Sequence, residues 1–375
     1  MKIFFLSLSL LILPISLARA EAPVTVRVMV EESQELMRLE IKGEYRIRLL
    51  PTLQEVKKGA SLQKVAVTAT PKGIRVDGQE WPARGIRVEA MGERDIYLDT
   101  TRYRGAIEIQ KDKTGKLFAL SRLDIESYMY GVLQHEVPYW WPMEALKAQA
   151  VAARTYAMYQ AQVNKAGDYD LKSDTSSQMY GGSTTERFRT KTAVDQTRGQ
   201  VLTYQGKIFP TYFHATCAGV TAGAQEIWKI NLPPISGMVH CGYCRFSPHY
   251  SWNSKVSLAE VEEKLNKSGR PVGQVLKIEI ISQTPSGRVG SLKITGISGE
   301  AVIAAKDFRI WIGGDRMKST LFTVNVVDDM AEFHGKGWGH GVGLCQWGTL
   351  GQALLGHKYE AILKFYYPGA DITRQ

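Results

Sequence analysis

Residues 142–156 read Pro142-Met143-Glu144-Ala145-Leu146-Lys147-Ala148-Gln149-Ala150-Val151-Ala152-Ala153-Arg154-Thr155-Tyr156, and this run decides the fold class. Ala, Leu, Lys, Gln and Arg lose little side-chain freedom in a helix, so Ala145 to Gln162 is expected to be helical. Pro142 suits the first helical position, and Glu144 sits where the helix dipole favours a carboxylate and is expected to cap the helix. Leu146, Ala150, Ala153 and Ala157 recur at helical spacing, with side chains small enough for close approach by neighbouring elements. Gly167 is expected to end the segment. One long helix, buried on one side, follows from the pattern.

Outward from this helix the periodicity changes. Upstream, Val24-Thr25-Val26-Arg27-Val28, Tyr45-Arg46-Ile47-Arg48-Leu49 and Lys64-Val65-Ala66-Val67-Thr68 alternate as half-buried strands do. Asp77-Gly78 is a hairpin signal between such runs. Asp124 and Glu126 are expected to precede an apolar strand or turn. Downstream, Val201–Tyr204 and Ile208-Phe209 form a hairpin around Gln205-Gly206, and Ser257 with Glu260 makes a capping box that opens a short helix to Lys267. Leu276 to Ile297 returns to strands around Pro285-Ser286-Gly287. The expected class is α+β: a signal peptide at 1–20, a β-rich N-terminal region at 21–100, and one domain from 101 to 375.

The chain has 375 residues, 47 basic against 37 acidic, and 44 % hydrophobic content, which excludes a disordered tail, and its four cysteines are too few for a disulfide scaffold. Lys2, the apolar run Ile3 to Leu17 and Ala18-Arg19-Ala20 read as a signal peptide cleaved before Glu21. A retained membrane anchor is the alternative, but the run falls short of the ~20 residues a bilayer span needs. Cleavage would remove Lys2 and Arg19, leaving 45 basic against 37 acidic residues, net +8. The expected location is exported: periplasm, cell wall or extracellular space. A basic exported chain is expected to meet anionic envelope polymers rather than nucleic acid.

The stretch Leu123 to Tyr156, with His135-Glu136-Val137-Pro138 before the Ala-Leu-Lys-Ala-Gln helix, resembles the SpoIID/LytB domain family, the sporulation stage II protein D group. Ser176-Ser177-Gln178-Met179-Tyr180-Gly181-Gly182 matches a second family block, and Thr197-Arg198-Gly199-Gln200-Val201-Leu202 a third. Phe308-Arg309 with Ser319 to Phe322 fits another. Gly337-Trp338-Gly339-His340-Gly341-Val342-Gly343, Gln346-Trp347-Gly348 and Tyr366-Tyr367-Pro368-Gly369 form the closing block. The resemblance implies peptidoglycan work, either lytic transglycosylase activity or enhancement of a cell-wall amidase. Val137 departs from the family's usual Met, a conservative change.

A lytic transglycosylase needs one carboxylic acid that protonates the glycosidic oxygen and then accepts the sugar's own 6-hydroxyl proton. Glu136 is the candidate. Tyr139, Trp140 and Trp141 flank it and are expected to stack on sugars and desolvate the carboxyl; the alternative is a surface Glu beside core aromatics. Lys147 and Arg154, seven apart on one helical face, are candidates for holding muramyl or peptide carboxylates, with ion pairs inside the fold as the other reading. Asp174, Gln178, Tyr180, Trp338, His340 and Gln346 complete the candidate substrate-binding set. The glycines from Gly337 to Gly343 lack the Lys-Ser/Thr ending of a phosphate loop, leaving a glycan-groove lining or a tight backbone crossing.

His214-x-x-Cys217 precedes His240-Cys241-x-x-Cys244. That spacing suits a structural zinc site made by His214, Cys217, Cys241 and Cys244, with His240 as substitute fourth ligand. Export offers the rival, a Cys217–Cys241 or Cys217–Cys244 disulfide. Cys345 is expected to be a lone buried thiol.

Overall fold

Strand Thr25–Gln34 runs antiparallel to Leu117–Asp124, with Thr25 opposite Asp124, and parallel to the short strand Leu171–Lys172. A computed structural model describes residues 24–92 and 95–375; the signal peptide expected at 1–20 lies outside the described residues. Among these, Leu171–Lys172, Thr25–Gln34, Leu117–Asp124, Ala106–Lys111, Gly85–Ala90, Tyr45–Leu50 and Glu55–Gly59 make a seven-stranded sheet in that order. A six-stranded sheet carries Leu36–Ile41 and Leu62–Ala69 at its centre. Alternation buries Val26, Val28, Ile47 and Val88 from one sheet with Met37, Leu39, Val67 and Ile74 from the other in one core. The boundary expected at residue 100 falls inside this arrangement. Ala106–Lys111 and Leu117–Asp124 lie between N-terminal strands of the same sheet.

Helix α1 (Ile125–Glu136) begins directly where Leu117–Asp124 ends. Asp124 is its N-cap: the carboxylate accepts from the backbone N–H groups of Glu126 and Ser127, each at 3.1 Å. The strand or turn expected here is therefore a helix. Its buried face is Tyr128, Met129, Val132 and Leu133. Helix α2 (Met143–Val163) follows a short turn, with Pro142 at the cap rather than inside the helix, and ends at Asn164, three residues before Gly167. From Ala145 to Met158 every residue except Lys147 is buried, so α2 is enclosed all round, not on one side. The Ala-rich sequence makes that possible, because elements can close on the backbone from several directions.

A second body of packing lies between Trp252 and Phe333. Strands Ser251–Ser257, Met330–Lys336 and Phe322–Val327 form one three-stranded sheet, and Val275–Gln283, Val289–Gly296 and Gly299–Ala304 another. Helices Leu258–Lys267 and Ala305–Ile312 complete a separate core that includes Val256, Leu292, Phe308 and Phe333. The Ser257 hydroxyl caps Leu258–Lys267 at 3.2 Å from Glu260 N, as the capping box predicts. The glycine-rich return strand then crosses residues 212–222 closely. A Cβ on Gly343 would lie 2.1 Å from the Tyr212 carbonyl oxygen, so this is a backbone crossing that only glycine permits.

Candidate active site and cysteine cluster

Glu136 is the last residue of α1, and Val137 leaves the helix in extended conformation. The carboxyl faces a cleft of about 320 Å³ walled by α2 (Tyr156), the 175–179 segment, Tyr212 to Ala215, Trp228, His340 and Gln346. Among the described residues, no other carboxylate lines it and no cation pairs with it. The Met179 backbone and the Gln346 side chain hydrogen-bond to Glu136, but burial outweighs them and pushes its pKa up to about 7. An acid poised there carries its proton for a substantial fraction of the time near neutrality.

The aromatics around Glu136 are not those adjacent in sequence. Tyr139 and Trp140 are 45 % and 61 % exposed, and Trp141 is buried with its ring edge-on to Trp347 at 5.7 Å. Sequence reasoning missed Tyr156, Tyr212, Phe213 and Trp228, which belong to no motif block except Tyr156. Tyr212 and Trp228 stack at 4.2 Å with 24° between planes, and His340 meets Trp228 edge-on at 5.0 Å. His340 Nδ1 accepts from Val342 N at 3.0 Å and the ring also bonds the Phe213 backbone. Burial holds its pKa down to about 3. It is a neutral ring with its Nδ1 committed as an acceptor, and it presents an aromatic wall to the cleft.

Of the other candidate residues, Gln178 and Gln346 reach the cleft. The Gln178 amide is held by the Ala153 carbonyl at 3.1 Å and the Tyr128 hydroxyl at 3.2 Å. Tyr180 packs on Tyr128 at 5.0 Å, outside the lining. Asp174 is exposed and accepts from Ser176 N at 2.8 Å, shaping the rim without entering the cleft. Trp338 lies against His249 at 4.3 Å and beneath the Lys318 ammonium, also away from it.

Lys147 and Arg154 are corrected by the structure. Lys147 pairs with Glu144 at 3.1 Å, and Glu144 accepts from Tyr359 N at 3.0 Å, tying α2 to the helix Tyr359–Tyr366 instead of capping its own turn. Arg154 is fully buried and bonds Glu126 at 2.7 Å and the carbonyls of Val194 and Gln200. A guanidinium at 0 % exposure, with both terminal nitrogens bonded and only its Nε left without a partner, is unreachable for a polymer's carboxylate.

The thiols of Cys217, Cys241, Cys244 and Cys345 gather with all four sulfurs within 4.8 Å of one another, every one buried. Cys345, expected to be alone, replaces His214. The reason is pairing: Leu344–Cys345 runs parallel to Phe213–His214, bringing Cys345 beside the loop that carries Cys217. The His214 Nδ1 is bonded to the Val342 carbonyl at 3.1 Å, and burial holds its pKa well below the usual range. No disulfide joins the described cysteines; Cys217 and Cys244 sulfurs are 3.5 Å apart, against about 2.05 Å for a covalent bond. Four thiolates about 2.3 Å from a central ion would be about 3.8 Å apart, so the cluster can hold a metal ion. Backbone N–H groups of Cys217 and Gly348 point at the Cys345 sulfur at 3.3 and 3.4 Å, and the Tyr366 hydroxyl lies 3.1 Å from that of Cys241. Hydrogen bonds among the thiols pull Cys241 and Cys244 down and push Cys217 up, and burial pushes Cys345 up.

A family profile described as "Stage II sporulation protein" matches residues 113–204, which carry Glu136, α1 and α2. A second, described as a domain of unknown function (DUF8618), matches residues 244–343, the segment with the separate core. An uncharacterized protein of Brachyspira hyodysenteriae is 34 % identical over 351 residues, covering 93 % of this chain and 92 % of that protein. The "Amidase enhancer" of Bacillus subtilis is 30 % identical over 65 % of this chain, which spans only 40 % of that relative's length. "Stage II sporulation protein D" of Bacillus subtilis is 28 % identical, covering 68 % of this chain and 76 % of the relative. Together with the motif blocks around Glu136 and the C-terminal Gly-Trp-Gly-His segment, these matches show that the chain belongs to the SpoIID/LytB family.

Proposed function

We propose that this is an exported cell-wall protein that cleaves peptidoglycan glycan strands as a lytic transglycosylase, with Glu136 as its single general acid and base. One observation carries the reading: an unpaired carboxyl, raised to about 7 by burial, in an aromatic-walled cleft with no second carboxylate among the described residues. A hydrolase of the ordinary kind needs two carboxyl groups. With one, Glu136 donates its proton to the leaving glycosidic oxygen and, as carboxylate, then takes the proton of the 6-hydroxyl as that oxygen bonds to the anomeric carbon. The product end is a 1,6-anhydro sugar, and no water is consumed. Tyr212 and Trp228 supply apolar faces for sugar rings, and Gln346 orients the carboxyl.

Product analysis in H₂¹⁸O tests the chemistry. Purified protein is expected to leave anhydromuramyl ends free of ¹⁸O; reducing ends carrying the label would mean hydrolysis and overturn the assignment.

The relative named for amidase enhancement favours a second reading, in which the same cleft binds glycan to stimulate a cell-wall amidase. That reading needs the cleft but not the Glu136 proton. Among the described residues no helix is long and apolar enough to cross a membrane. Export and the net +8 are consistent with either role.

For the cysteine cluster we infer structural zinc. Four sulfur ligands close the coordination shell, so the ion would fasten the 213–217, 241–244 and 344–345 segments rather than take part in catalysis. Metal analysis with thiol titration is expected to give one zinc and no reactive thiol in the folded protein. Metal-free protein with four titratable thiols contradicts the inference.

A further inference from the structure

Across His340 from the Glu136 cleft lies a second cavity of about 260 Å³, and His340 lines both. The helix Ala224–Trp228 also serves both, giving Trp228 to the first and Glu226 to the second. The second cavity is basic: Lys229, Arg288, Lys306 and Arg309 line it, against the one carboxylate of Glu226. Glu226 is already engaged, accepting from the Ser286 hydroxyl at 2.6 Å and Gly223 N at 2.9 Å.

The two arginines are short of partners. Arg288 is 2 % exposed; its terminal nitrogens reach the Cys217 and Val220 carbonyls only at 3.4–3.5 Å, and its Nε has no hydrogen bond among the described residues. Arg309 Nε is likewise buried without a partner, and neither arginine forms an ion pair among the described residues. Glu226 and the thiols of Cys217 and Cys345 act on Arg288 through space, but no carboxylate pairs with either arginine among the described residues; such a guanidinium is costly to bury, and a planar carboxylate is its best complement. Gly341 is part of the construction: a Cβ there would lie 2.3 Å from Arg288 Nη2, so the return strand leaves the guanidinium room.

We infer that this basic cavity is a carboxylate subsite, which holds an acidic branch of a muramyl glycan whose backbone lies in the Glu136 cleft. The inference rests on the glycan reading of that cleft. It also moves the anion-holding role from Lys147 and Arg154, which the fold has already neutralised, to Arg288, Arg309 and Lys306. The cavity's outer wall comes from the segment with its own core, residues 284–320, so that segment would contribute substrate selection. Two sources offer the chemistry: the free lactyl carboxylate of denuded strands and the peptide carboxylates of substituted ones.

Full-length, metal-replete protein in the Glu136→Gln background would be titrated with chitotetraose, denuded muramyl tetrasaccharide and its peptide-bearing form. At least one muramyl ligand is expected to bind tenfold or more tighter than chitotetraose, and the stronger one identifies the carboxylate source. Arg309→Gln with Lys306→Gln is expected to erase that advantage and leave chitotetraose affinity unchanged. Lys306 is exposed and Arg309 makes no hydrogen bond through its Nε, so neither change should unfold the chain; Arg288 is left intact because it also borders Cys217. Equal affinity for all three ligands, or equal losses on the neutral and charged ones, overturns the subsite. Muramyl binding that depends on Arg309 in a protein that ignores chitotetraose would instead uphold the subsite and sink the glycan-cleft reading.

Discussion

Helix α1 carries a carboxylate at each end, Glu126 buried and Glu136 half-buried at the cleft, and the two have opposite surroundings. Glu126, in its first turn, meets Arg154 at 2.7 Å and the Gly199 backbone N–H at 2.9 Å. Glu136, ten residues on, has a backbone bond, a glutamine and aromatic walls but no cation. Both are largely withdrawn from water, Glu136 less so than Glu126, so burial alone does not separate a structural acid from a reactive one. The counter-charge does. Arg154 and the Gly199 N–H fasten the first carboxylate in place, whereas the unpaired one keeps its proton to near-neutral pH.

Breaking the paired end should have the larger effect on stability. Arg154→Met leaves Glu126 buried with only the Gly199 contact, and denaturant unfolding at pH 7 is expected to show a loss of about 3–5 kcal/mol. Replacing both partners, as in Glu126→Leu with Arg154→Met, should recover much of it. A single variant within about 1 kcal/mol of wild type would mean that the pair is not what holds α1 to α2.

At the unpaired end the sign reverses. The folded state keeps the Glu136 proton to about pH 7, whereas an unfolded glutamate releases it near 4.5. The stabilisation from that bound proton is complete below about pH 4.5 and is lost as pH rises through 7. Glu136→Gln has no such loss. It is expected to be about 3 kcal/mol more stable than wild type at pH 8 and to converge with it near pH 4.5. A pH-independent difference would show that Glu136 titrates like an exposed glutamate.

The contrast between the two ends explains what was legible beforehand. Alanine density exposed α2, and Ser257/Glu260, Gln205-Gly206 and Asp77-Gly78 marked a cap and two turns correctly, because those signals are local. Helix α1 was hidden: Asp124 and Glu126 read as preceding an apolar strand or turn, whereas the Asp124 side chain caps a helix. Glu136 was singled out by motif, yet its neighbours were misplaced, since Tyr139 and Trp140 are near in sequence but point to solvent. Tyr212 and Trp228 arrive from segments 76 and 92 residues away. Three of the four clustered cysteines were found from spacing. Cys345 was not, because a whole core-forming segment separates it from Cys244 and only the parallel pairing with Phe213–His214 returns it.

The most direct test of the account is glycan cleavage by wild type and Glu136→Gln at pH 7, scored as anhydromuramyl ends, with folding of both checked by thermal unfolding. Loss of the general acid is expected to reduce the rate by about 10²–10⁴-fold in a protein at least as stable as wild type. Undiminished anhydromuramyl formation by the folded variant would contradict it, and with it the claim that the unpaired end of α1 is where the chemistry occurs.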